Sequence, residues 1–297
     1  MSKHGDTERS IIDLFEKEKE FTFEGSKHKI INIGKPRPSR GECKTDIYIQ
    51  TNNVDSGHNN EFKISIKQSD ADFLENKISL ERAEEIFGSQ AKKVMTESID
   101  SQKKSFLDDY LVYFKNHKRT KEKCIKIGWK FELLNKNGGE RSGLLKLTDE
   151  QKIDVYSGTN LNDEKKDSKV NGLVVKNSGV ANYILTVSDT EHKLEYYVGN
   201  LKEIEGFAVS KDIYFACKAI NYRSVGDKWD GNRPLSVFVE WNLVNGLLKG
   251  KLILDKPLEV RANEVGENIR SILKELEIEE DNFKDLEKYI DGSVKTV

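Results

Sequence analysis

GECKTDIYIQTNN (residues 41–53) and EFKISIKQSD (residues 61–70) are the stretches on which the reading of this chain turns. EFKISIK alternates Phe62, Ile64 and Ile66 with Lys63, Ser65 and Lys67, the two-residue period of a strand with one buried face. Ser65 and Lys67 therefore share the polar face. TDIYIQ (45–50) has the β-branched and aromatic content of a second strand, yet it carries the bare carboxylate of Asp46 between Thr45 and Ile47. The two charged positions, 67 − 46 = 21 residues apart, are candidates for one site on neighbouring strands.

Outward from this pair, the spacing of Ile11, Ile12 and Phe15 after Thr7 predicts a helix over residues 7–20. HKIINI (28–33) reads as a strand, joined to TDIYIQ by the turn-forming GKPRPSRG. The pattern becomes helical from Leu80 to Lys115, with Ala83, Ile86 and Phe87 in one segment and Phe106, Tyr110 and Phe114 in another. From Trp129 onward short strands dominate: GLVVK (172–176), ANYILTV (181–187), KLEYYV (193–198), DIYFACKAI (212–220) and LSVFVEWNLV (235–244). Asn245-Gly246 then supplies a tight hairpin turn. Thr148 to Gln151 carries a capping-box signature, NEVGENIRSILKELEI predicts a C-terminal helix, and NLNDEKKDSKVN (160–171) reads as a surface loop. The expected class is α/β, a mixed central sheet flanked by helices with a β-rich C-terminal part. The expected division is a core over 1–127 and a β-rich region over 128–297 packed on it, with one continuous domain as the alternative.

Composition bounds the function. The 297 residues are 34% charged and 9% aromatic with four prolines, as in a water-soluble globular protein. No apolar run approaches the roughly 20 residues that span a bilayer, and MSKHGDTERS lacks a signal-peptide core, so no membrane partner and a cytoplasmic location are expected. Cys43, Cys124 and Cys217 are isolated and odd in number, which argues against disulfides or a thiolate zinc site. Five histidines show no HExxH, Gly34-Lys35 lacks a P-loop context, and no GxSxG occurs. Net charge is −2, but the bases cluster. Residues 27–44 hold Lys27, Lys29, Lys35, Arg37, Arg40 and Lys44 against Glu42; residues 115–130 hold Lys115, Lys118, Arg119, Lys121, Lys123, Lys126 and Lys130 against Glu122. Such stretches are either phosphate-facing surfaces or solvated loops.

Phosphodiester hydrolysis needs a metal to activate water and neutralise charge, with a cation near the nucleophile. Magnesium takes one or two carboxylates with waters and backbone carbonyls. Asp46, the main-chain carbonyl of Ile66 and the ammonium of Lys67 supply those parts, with Ser65 where a further ligand belongs. At these residues the chain resembles the PD-(D/E)XK nuclease core, especially type II restriction endonucleases, and most of all the small enzymes that cut four-base GC-rich sites such as GCGC and CCGG. A strand resembling G-x-K-[ST]-D-I in those enzymes has its counterpart in Gly41 to Ile47. A Gln or Asn there replaces the acidic residue before x-K, and Ser65 takes that place here. Their first helix resembles E-x-x-I-x-x-x-F, matched by Glu8, Ile11 and Phe15. The likeness spans about residues 7–80.

The resemblance implies that Asp46 is the main Mg²⁺ ligand, that Lys67 orients or activates the attacking water, and that Glu8 supplements the site. Thr45 replaces the motif's proline, and Ser65 is a neutral ligand, which makes Glu24 and Glu42 further candidates for the missing carboxylate. Lys35, Arg37, Arg40, Lys44, Lys118 and Arg119 are the expected phosphate contacts. Gln68 and Ser69, in the loop after Lys67, are candidates for base contact. Tyr196, Tyr197 and Trp229 read first as packing residues and second as stacking platforms. The expected activity is site-specific cleavage of double-stranded DNA by a monomer or homodimer, with a DNA methyltransferase as genetic partner. The alternatives are a structure-specific or repair nuclease on the same core and a non-catalytic DNA-binding protein.

Overall fold

The computed structural model describes residues 3–76, 78–188 and 191–297, and they form a mixed α/β protein. The chain divides into two compact units, and each is assembled from two stretches. One comprises the described residues up to Asp72 with Lys146–Lys211; the other comprises Phe73–Leu145 with Asp212–Val297. This differs from the single boundary near residue 127 expected above. The cause is a strand pairing between residues more than a hundred positions apart.

In the first unit, α1 (Lys3–Glu18) is followed by β1 (Glu20–Phe23), β2 (Ser26–Gly34), β3 (Ile47–Asn53) and β4 (Asn59–Gln68). These strands form an antiparallel meander. The strand Tyr183–Val187 then pairs with β4 in parallel, and Lys202–Glu203 closes the sheet antiparallel to it. The result is a six-stranded mixed sheet. Ile47 and Ile49 of β3 pack with Phe62, Ile64 and Ile66 of β4 on one face. The helical stripe Ile11 and Phe15 covers that face, together with Leu194, Tyr197 and Val198.

Those last three belong to KLEYYV, which reads as a strand but forms the helix Leu194–Gly199. Leu194, Tyr197 and Val198 stand at i, i+3 and i+4, so burial on a helical stripe overrides the β preference of Tyr and Val. The polar insertion 160–171 is also more ordered than a surface loop. Asn162 caps a helical turn at Asp163–Lys166, and Lys169–Val170 pairs with Leu173–Val174. Arg37 and Lys169 exchange backbone hydrogen bonds of 2.9 and 3.0 Å, which ties this ribbon to the chain after β2. The capping box at Thr148 is formed, and the helix Asp149–Ser157 ends on Gly158 at φ 77°, a left-handed conformation that glycine adopts without strain.

In the second unit the eleven-residue strand Cys124–Leu134 is central. It pairs with Tyr214–Arg223 and with Val237–Val244, and Asn245-Gly246 turns the latter into Leu247–Ile253. Both turn residues have positive φ, 53° and 76°, as a two-residue type I′ hairpin requires. Gly128 is obligatory in the central strand: a Cβ there would lie 2.4 Å from the Val237 carbonyl oxygen. The helices Leu80–Phe87, Ala91–Ser101 and Ala262–Glu275 belong to this unit.

Candidate active site

Asp46 stands immediately before β3, and Ile47 faces Ile64, which places Asp46 opposite Ser65 in the register. Its N–H donates to the Ile64 carbonyl at 2.8 Å, and its carboxylate Oδ2 accepts from the Ile66 N–H at 2.7 Å. The side chain thus takes over the ladder where β3 has not yet begun. In an extended strand the N–H and C=O of one residue project to the same side. The Ile66 carbonyl therefore projects toward the side on which the Asp46 carboxylate lies, as the sequence reading requires of a metal-binding carbonyl.

Glu8 reaches the same neighbourhood from α1. It is only 6% exposed, and its Oε2 accepts a charge-assisted hydrogen bond from Lys35 Nζ, just past the end of β2. Burial is the main force pushing the Asp46 carboxyl above its usual range, and the negative charge of Glu8 adds to it. The Ile66 N–H and the charges of Lys67 and Lys35 act in the opposite sense. Asp46, Glu8, Lys35 and Lys67 thus form one electrostatic cluster.

Ser65 lies beside this cluster. It is 1% exposed, and its hydroxyl has no hydrogen-bond partner among the described residues, as is also true of Thr45 Oγ1. Gln68 donates through Nε2 to Thr7 Oγ1 at 3.3 Å, pinning the end of β4 to the residue before Glu8. This side chain is engaged within the protein rather than presented to a base. Ser69 is exposed and its N–H donates to the Val187 carbonyl.

Arg37 and Arg40 are exposed and Lys44 half-buried, all in the same unit as Asp46. Lys118 and Arg119 are exposed in the other unit, where Lys118 pairs with Glu140 at 2.7 Å. The second basic stretch is less available than its sequence suggests, because Lys126 is buried against Asp109 and Lys130 pairs with Glu132 at 2.5 Å. Glu24 is exposed in the β1–β2 turn and Glu42 is exposed four residues before Asp46. Tyr197 is core, Tyr196 stacks on His192 with centroids 3.7 Å apart, and Trp229 lies under the Arg270 guanidinium.

The donor set suits a hard cation. Two carboxylates whose charges oppose each other, with a main-chain carbonyl nearby, are what Mg²⁺ takes while keeping several waters. Among the described residues no group of three or more His, Cys, Asp or Glu side chains is placed to hold a metal. Among the described residues Asp46 and Glu8 are the carboxylates that would hold it. The role of Lys35 as the partner of Glu8 was not visible in the sequence, where it belongs to a run of bases; its position one residue after a strand end was the available signal. The chain matches no family model, no curated protein and no solved structure.

Proposed function

We propose that the protein is a divalent-metal-dependent nuclease of the PD-(D/E)XK kind that cuts double-stranded DNA at specific sites, as type II restriction endonucleases do. The observation that carries this reading is that the buried Asp46 carboxyl, where the start of β3 lies beside the end of β4 on a mixed sheet, is pushed up mainly by burial and feels the charges of Lys67, Glu8 and Lys35. A bound Mg²⁺ would supply Lewis acidity and a lowered water pKa. Asp46 and Glu8 would hold it with the Ile66 carbonyl. Lys67, on the strand face shared with Ser65, would orient the attacking water and offset charge on the phosphate. Lys35 would relay charge to Glu8, and Arg37 and Arg40 would meet backbone phosphates.

The hydrogen bond from Ile66 favours one other reading, a DNA-binding protein in which Asp46 only completes the ladder. Incubation of purified protein with unmethylated plasmid and phage DNA in Mg²⁺ or EDTA separates them. Discrete Mg²⁺-dependent fragments support a restriction enzyme, and their ends give the site and a test for a protecting methyltransferase. A Mg²⁺-dependent smear favours a nuclease without base specificity. Intact DNA with a folded protein that binds it leaves the structural role for Asp46.

A further inference from the structure

In the second unit, a cavity of about 500 Å³ opens beside the strand Cys124–Leu134. Its floor is an ionic network around Asp109. Oδ2 of that carboxylate lies 3.3 Å from Lys126 Nζ and 3.0 Å from Arg141 Nη2, while Oδ1 accepts from the Tyr110 N–H and the Tyr113 hydroxyl. Two cations thus share one carboxylate. Lys126 is 2% exposed, and burial pulls its ammonium below the usual lysine range. Arg141 Nη2 also donates to the Ser105 carbonyl at 2.8 Å, while its Nε is buried without a partner among the described residues. Desolvated donors with too few acceptors are costly unless something supplies the missing acceptors.

The walls say what shape that something has. Tyr110 and His117 meet edge to face at 5.1 Å, and Tyr113 lies under Lys126. Tyr110 and His117 are half-exposed. The rim charges Lys118 and Asp108 are paired with Glu140 and Lys295, so these rim groups do not by themselves select a phosphate over a ring. Aromatic walls over a donor floor fit a planar ring that presents acceptors.

We propose that this cavity binds a nucleobase by its acceptor edge, as guanine offers through O6 and N7 to Arg and Lys. The base comes either from a free nucleotide or from a DNA strand with the base turned out of its stack; only the second source rests on the nuclease reading. The test uses Asp46→Asn protein in EDTA, which cannot cleave, titrated calorimetrically with GMP, CMP, inorganic phosphate and a guanine-containing single strand. Saturable binding of GMP or the single strand, stronger than CMP and phosphate, is expected. Tyr110→Ala should weaken it about tenfold, the effect of one lost stacking contact. Arg141→Lys should weaken guanine discrimination while keeping the charge. Binding of the single strand assigns the DNA source. Binding of GMP alone assigns the free-nucleotide source and sustains the cavity whether or not the protein cleaves DNA. Phosphate binding as tightly as GMP, no binding of GMP or the strand, or unchanged affinity in Tyr110→Ala overturns the proposal.

Discussion

Asparagine and alanine at position 46 should behave differently, and the difference separates a reactive carboxylate from a structural one. In the folded protein Asp46 is pushed upward, mainly by burial and further by Glu8. Between the ordinary aspartate range and its folded value, the folded state holds more protons than the unfolded state. Ionisation of Asp46 therefore lowers stability as pH rises through that window, and the penalty persists in full above it. Asp46→Asn keeps an oxygen to accept the Ile66 N–H and removes the ionisation penalty. It should match or exceed the wild type in urea denaturation at pH 8, with the advantage vanishing below the usual aspartate range. Asp46→Ala leaves the Ile66 N–H without its acceptor and should be about 1–3 kcal/mol less stable than Asp46→Asn. Mg²⁺ supplies the second readout. At ten times its Kd, a cation bound only by the folded protein adds about 1.4 kcal/mol. The wild type should show this gain, and neither variant should show it or cut DNA. An asparagine variant that loses as much stability at pH 8 as the alanine variant, or that responds to Mg²⁺ like the wild type, would refute the reasoning.

Three further outcomes follow from the geometry. Lys35→Met removes one of the charges that keep Asp46 ionised, so the rising limb of the cleavage-against-pH profile should move to higher pH; an unmoved limb would take Lys35 out of the site. Gly128→Ala places a methyl against the Val237 carbonyl and the Phe238 Cα, at 2.4 and 2.9 Å, and should destabilise the second unit by about 1–3 kcal/mol in urea denaturation. Thr148→Ala removes the hydroxyl that accepts from the Gln151 N–H, one half of the capping box, and should lower stability by about 1 kcal/mol in urea denaturation, whereas Thr148→Ser should keep most of it.

Much of the candidate site was legible because its parts are local. Alternation in EFKISIK put Ser65 and Lys67 on one face, and the strand after Asp46 begins at Ile47. The hairpin at Asn245-Gly246 and the cap at Thr148 were equally readable, since each is a short-range pattern with one backbone solution. What escaped depends on partners distant in sequence. Nothing near Lys35 announces Glu8, 27 positions earlier. Nothing in CIKIGWK marks Lys126 as buried, because the acid that receives it, Asp109, belongs to a different element. The single boundary near 127 rested on a change of composition, whereas the real division follows the pairing of β4 with Tyr183–Val187.

That pairing also sets the order in which the protein is born. β4 ends at Gln68, but its parallel neighbour ends at Val187, 187 − 68 = 119 residues later. At about 5–20 residues per second, roughly 6–24 s of synthesis pass between them. During that interval Asp46, Glu8 and Lys67 have been made, while one edge of their sheet stays open beside a chain that is still being extended through Phe73–Leu145, the first of the other unit's two stretches. An N-terminal fragment that stops before Val187 would keep every proposed catalytic residue and leave β4 as an unprotected edge. Truncation to the apparent active-site segment should therefore yield an aggregating strand meander, and expression trials are better directed at the whole chain.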